Sequence, residues 1–224
     1  MKKIILFLVT AFCCHNAPAQ ANYSGTYGYK IPGDSHPKDK TAIPGGNLVL
    51  VKMEDNKYRF WLDVLNGPPG WNRGETDGTI SFVNDTASFD NTFEDATNPC
   101  ILKFKVTGAS ININSQSSSF NCGFGNGVTA DGDYLRLQVQ PMINNKWLKD
   151  QYRDAPEATI IVKKAQLYQD ENCLMEKSQY FVKGDILLSV IENAHTFYTE
   201  FITPQGKFMY GWIKKSAVKM SDPK

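Results

Sequence analysis

Between residues 22 and 140, apolar and polar side chains alternate in short runs that break at turn-forming clusters. Leu48-Val49-Leu50-Val51 is an apolar run that stops at Glu54-Asp55-Asn56. Tyr58, Phe60, Leu62 and Val64 then interleave with Arg59, Trp61 and Asp63, the period-2 signature of a strand with one buried face. Gly67-Pro68-Pro69-Gly70 ends that run. Ile80 and Phe82 alternate with Thr79 and Ser81. Cys100, Leu102, Phe104 and Val106 do the same with Lys103 and Lys105, which puts Cys100 on the inward side. Ile111 and Ile113 continue the pattern after Gly108, and Tyr134-Leu135-Arg136-Leu137 closes the series behind Asp131-Gly132, a dipeptide favoured in hairpins. An apolar stripe at helical spacing is missing from every ten-residue window of this region. About eight short strands therefore predict an antiparallel β-barrel or sandwich, closure being the simplest way to remove exposed sheet edges.

Residues 141–157 differ. Asn144-Asn145-Lys146 and Lys149-Asp150 are polar, with Trp147, Leu148 and Tyr152 as the apolar members. The pattern predicts a linker with one or two helical turns from Asn145 to Arg153, and Trp147 docking against a neighbouring module. From 158 to 219 strands resume at Thr159-Ile160-Ile161-Val162, Ala165-Gln166-Leu167-Tyr168, Ile186 to Ile191, Thr196 to Thr203 and Phe208 to Lys214. Residues 220–224 form a short tail. The whole reads as all-β, with two modules expected to fold independently on either side of the linker.

The 224 residues are 42 % hydrophobic and 21 % charged, enough for a core and not the composition of a disordered chain. Lys plus Arg number 24 against 23 Asp plus Glu, a balance that argues against nucleic acid as a partner. Met1-Lys2-Lys3, the apolar stretch from Ile4 to Cys14, and the small residues Ala17, Ala19 and Ala21 have the order of a secretory signal peptide spanning 1–21. Its apolar stretch is far shorter than the roughly 20 residues a spanning helix needs, and the mature chain offers none longer. The leader predicts export to the periplasm or the cell exterior. It takes Cys13, Cys14 and His15 with it, leaving Cys100, Cys122, Cys173, His36 and His195.

Export changes how the cysteines read. Cys100 and Cys122, in one β module and bound for an oxidising compartment, are expected to form a structural disulfide, with Cys173 left as a free thiol in a turn. A metal pair would need a C-x-x-C or a histidine at zinc spacing, and neither is present. Gly123-Phe124-Gly125-Asn126-Gly127 lacks the spacing of a phosphate loop and reads as a tight β connection. Asp85, Asp90, Glu94, Asp95, Asp131 and Asp133 do not form an EF-hand pattern and read as a solvated face. His36 and His195 have no nucleophile motif beside them. The expectation is a protein that is not an enzyme and carries no metal or cofactor.

Leu167-Tyr168, then Val182-Lys183-Gly184-Asp185, then Gly211-Trp212-Ile213-Lys214-Lys215-Ser216-Ala217-Val218 follow one another in an order that resembles the bacterial SH3-like domain family. The resemblance spans nearly all of 158–219. It implies a small SH3-like barrel, a short turn before the last strand, and a ligand that is a cell-wall peptide, peptidoglycan or an envelope protein. Within that frame Trp212 is assigned to the core with Ile186, Leu188 and Val190. Tyr210 is assigned to the opposite face, where Tyr168 and Tyr198 join it and Lys214 and Lys215 lie beyond as partners for a carboxylate. Cys100-Ile101-Leu102-Lys103-Phe104, Cys122-Gly123-Phe124-Gly125, Val128 and Ala130-Asp131-Gly132-Asp133-Tyr134 resemble exported barrels of the lysozyme-inhibitor type. That resemblance implies a barrel with a disulfide near one rim and, as an alternative function, inhibition of a lysozyme-like glycosidase.

Overall fold

The computed structural model describes residues 21–30, 45–54, 56–93 and 95–221. The expected leader up to residue 20, His36, Asp55, Glu94 and the last three residues of the tail lie outside the described residues.

Eight antiparallel strands form the first sheet: β1 Gly25–Lys30, β2 Gly45–Lys52, β3 Lys57–Leu65, β4 Arg73–Ser81, β5 Thr86–Asp90, β6 Ile101–Thr107, β7 Ser110–Ser115 and β8 Gly132–Arg136. Their order is β4-β3-β2-β1-β8-β7-β6-β5, so the two edges are consecutive in the chain. A tight turn carrying the Val83–Thr86 bridge joins those edges, and the sheet curls into a near-closed barrel. Tyr58, Phe60, Leu48, Leu102, Phe104 and Tyr134 fill it. A Cβ on Gly78 of β4 would collide with the Phe89 ring of β5 and sit 2.9 Å from Phe60. The missing side chain is what lets Phe89 cover the gap between the edges. Cys100 and Cys122 are disulfide-bonded, tying the start of β6 to a 3-10 turn at Ser119–Cys122. In the chain-entropy view, closing a loop of this length stabilises by about 3 kcal/mol.

The expected hairpin dipeptide is not a hairpin turn. Asp131 accepts a hydrogen bond from the Ser115 backbone N–H, 2.5 Å away, and Gly132 is already the first residue of β8. The β7–β8 connection is instead a long excursion that inserts Phe124, Val128 and Ala130 into the core.

The second half contributes β9 Glu157–Ile160, β10 Lys164–Tyr168, β11 Glu176–Val182, β12 Ile186–Leu188, β13 Ile191–Glu192, β14 Thr196–Ile202, β15 Phe208–Lys214 and β16 Val218–Met220. These make a five-stranded sheet, β11-β10-β15-β14-β13, and a three-stranded sheet, β12-β9-β16, around a core of Ile160, Leu167, Phe181, Leu187, Phe197 and Ile213. A 3-10 turn at Lys215–Ala217 precedes the last strand. Gly211 has φ +147° and its Cβ would lie 2.6 Å from the Tyr168 carbonyl oxygen, so only glycine lets β15 pass β10 this closely.

Here the expected side-chain phase is wrong by one residue. Ile213 is fully buried, whereas Trp212 is half-buried on the outer face of its strand. Likewise Leu187 enters the core while Ile186 remains 56 % exposed. Residues two apart in a strand share a face, so Tyr210 and Trp212 must lie together.

One α-helix, α1 Asn145–Gln151, falls inside the expected segment and is capped by the Asn144 side chain, which accepts from the Trp147 backbone N–H at 3.1 Å. It is not a free tether. Val49 and Trp61 on the outer face of β2 and β3, Leu148 of α1, and Leu188, Ile202 and Phe208 of the second half form a third apolar cluster. Burying each of these large side chains stabilises by about 1.5–3 kcal/mol. The two modules therefore share a packed interface. Among the described residues no helix is long and apolar enough to cross a membrane.

Candidate functional site

The interface is built from strand faces that alternation leaves apolar or charged where water would otherwise lie. On β14, Phe197, Thr199 and Phe201 turn towards the module's own core, so Tyr198, Glu200 and Ile202 face the barrel. Glu200 meets Arg59 of β3: Arg59 Nε lies 2.8 Å from Glu200 Oε1, an ion pair rather than an aligned hydrogen bond. Their side chains are only 12 % and 1 % exposed. The Tyr152 hydroxyl, at the end of α1, donates to Glu200 Oε2 at 2.6 Å and accepts from Arg59 Nη2 at 2.9 Å and Trp61 Nε1 at 3.2 Å. Asp77 of β4 also pairs with Arg59. Burial pushes the Glu200 carboxyl up, against the pull of Arg59 and the Tyr152 hydrogen bond. Asn145 of α1 adds a further tie, its side-chain oxygen accepting from the Ile202 N–H at 2.7 Å.

Beside this locked seam the modules leave an open cleft of about 390 Å³. Tyr198 and Tyr210 of the second half line it, with Glu54 and Lys57 from the barrel and Glu176 and Lys177 from β11. The Tyr210 hydroxyl donates to Glu54, and Lys177 Nζ lies 3.4 Å from the centre of the Tyr210 ring. Burial lowers the Lys177 ammonium, and nearby Glu54 opposes it. Burial, reinforced by Glu200, pushes the Tyr198 hydroxyl up, so it is a neutral donor at physiological pH. The cleft thus offers aromatic surface flanked by both signs of charge.

The expected aromatic set divides between two places. Tyr168 pairs with Trp212 across β10–β15, and Trp212 pairs with Tyr198 across β15–β14, giving one continuous aromatic row on the outer face. Tyr198 contacts the Trp212 ring at 5.7 Å, and Lys214 Nζ lies 5.1 Å from the Tyr168 ring centre. Tyr210 sits one row further, opposite Glu200, at the seam. Lys214 and Lys215 instead border a separate cleft with Cys173 and His195, and Lys215 pairs with Glu192 at 2.7 Å. Comparison with protein families, characterised proteins and solved structures finds no match.

Cys173 is a free, buried thiol in a turn, and that burial pushes its pKa up despite nearby Lys214. His195 is exposed. Among the described residues no cluster of histidine, cysteine and carboxylate side chains is close enough to hold a metal ion. Trp212, the centre of the aromatic row, escaped sequence reasoning because it was assigned to the core. Glu54 and Lys57 belong to the other module, 144 and 141 positions before Tyr198 along the chain. Two sequence signs pointed to a partner face: Trp61, an apolar ring on the otherwise charged side of its strand, and Trp147, expected to dock against a module.

Proposed function

We propose that this protein is an exported, non-catalytic binding protein of the bacterial cell envelope that recruits peptidoglycan through its stem peptides at the seam cleft. The observation that carries this is the combination of Tyr198 and Tyr210 with Lys57, Lys177, Glu54 and Glu176 around one open cavity. A stem peptide is short and extended, and carries amines and carboxylates, so it matches a cleft with aromatic walls and both charges. The leader pattern and the Cys100–Cys122 disulfide support export, and the resemblance of 158–219 to SH3-like domains supports the ligand class.

Co-sedimentation of the full chain with purified peptidoglycan tests the reading. Lys57→Ala with Glu176→Ala removes two exposed cleft charges and should cut retention severalfold at an unchanged melting temperature. Equal retention of that variant and wild type overturns the site, and capture of an envelope protein without peptidoglycan retention overturns the ligand. A second reading, inhibition of a lysozyme-like glycosidase, draws on the disulfide-tied rim of the barrel, where Phe93 and Phe120 stand exposed. Residual lysozyme activity at stoichiometric protein tests that reading.

A further inference from the structure

A different cleft, of about 370 Å³, opens on the outer face of β1–β4 beside α1. Ladder register lays out its floor. Thr26, Val49, Trp61 and Asp77 stand opposite one another in one row, and Gly28, Asn47, Asp63 and Glu75 in the next. Leu137 and Pro141 wall one side, and Trp147 and Gln151 of α1 wall the other. The Trp147 ring is half-buried and stands perpendicular to Trp61, with ring centres 4.9 Å apart. At the floor, the buried Thr26 hydroxyl has no hydrogen-bond partner among the described residues.

The charges select the ligand. Arg73 holds Asp63 and Glu75, each at 2.7 Å, and Arg59 holds Asp77. A carboxylate already paired with a guanidinium keeps lone pairs for hydroxyl donors but presents little net field to a cation. With two guanidinium groups against these three carboxylates, the floor keeps a surplus of only one negative charge, which disfavours an anion. What remains is a neutral molecule with many hydroxyls and an apolar face, which is the chemistry of a sugar ring. Aromatic rings cover the C–H face of such a ring, and planar carboxylate and amide groups meet its edge.

We propose that this cleft binds a neutral oligosaccharide, with Trp147 against a sugar face and Asn47, Asp63 and Glu75 bonding its hydroxyls. The site is separate from the seam cleft and stands whether or not that cleft takes a peptide.

Calorimetric titration of the full chain with N-acetylglucosamine tetramer and with maltotetraose tests it, alongside tryptophan fluorescence. Binding of at least one sugar is expected, with a fluorescence change. Asn47→Ala and Glu75→Gln, both exposed positions outside the cores, should each weaken it about tenfold or more. Lys57→Ala with Glu176→Ala should leave it unchanged, which separates this site from the seam. Absence of binding by both sugars, or affinity undiminished in both cleft variants, overturns the proposal. So does binding of spermidine in place of sugar that is lost in Glu75→Gln.

Discussion

Replacing Glu200 with alanine strips the buried Arg59 guanidinium of the carboxylate that faces it across the module interface. Arg59 would keep Asp77, whose side chain is 45 % exposed, and the Tyr152 hydroxyl, while Tyr152 would lose the acceptor of its own proton. Breaking a buried pair by removing one partner costs about 3–5 kcal/mol, because the remaining charge stays desolvated. The solvent-facing Asp77 compensates Arg59 in part, which places Glu200→Ala at the lower end, about 3 kcal/mol. For a chain of this size that corresponds to a fall in melting temperature of roughly 6–12 °C. Urea unfolding followed by tryptophan fluorescence reads the loss directly, since Trp61 and Trp147 sit in the same interface. Arg59→Met with Glu200→Leu, which replaces the pair by apolar groups, should recover most of it. Should Glu200→Ala unfold within about 0.5 kcal/mol of wild type, the level of an ordinary surface change, the pair is solvated and the modules are not docked as described.

Three further outcomes follow from particular contacts. Gly78→Ala drives a methyl group into Phe89 and Phe60 at the barrel closure and should destabilise by about 1–3 kcal/mol, the range for overpacking, in thermal melts. Ile213→Ala should cost about 2–5 kcal/mol as a core truncation, and Trp212→Ala clearly less, because the corrected phase puts Ile213 inside. The Asp170 carboxylate accepts hydrogen bonds from the backbone N–H groups of Met175, Leu174 and Asn172, which hold its pKa below the usual value. An acid whose folded pKa is depressed contributes stability above its unfolded pKa and loses it as pH falls through the folded one. The melting-temperature gap between wild type and Asp170→Ala should therefore be full at neutral pH and close on acidification below about pH 4.

Sequence alternation was a good guide wherever a strand had one apolar face, as in β3, β6 and β7. It failed where the inward positions carry no side chain. Most of β4 reads as polar because Gly74 and Gly78 occupy its inward sites, leaving room for Phe124 and Phe89 from other elements. Ile186 to Ile191 reads as one strand but bends into β12 and β13, so its apolar residues serve both the module core and the interface. The disulfide and the free cysteine were legible from the expected export and the strand phase. Of the seam only the apolar Trp61 and Trp147 left a sign; its ion pair depends on long-range docking of Tyr198 and Glu200 against β3, which no local pattern encodes.

The measurement that tests the seam cleft most directly is an amide NMR titration of the isotopically labelled full chain with a free stem peptide. Shifts should concentrate at Lys57, at Glu176 to Gln179 and at Gly211, which border the cleft, with the barrel interior unmoved. Shifts confined to Lys214, Lys215 and His195, or no shifts at saturating peptide, would contradict that site.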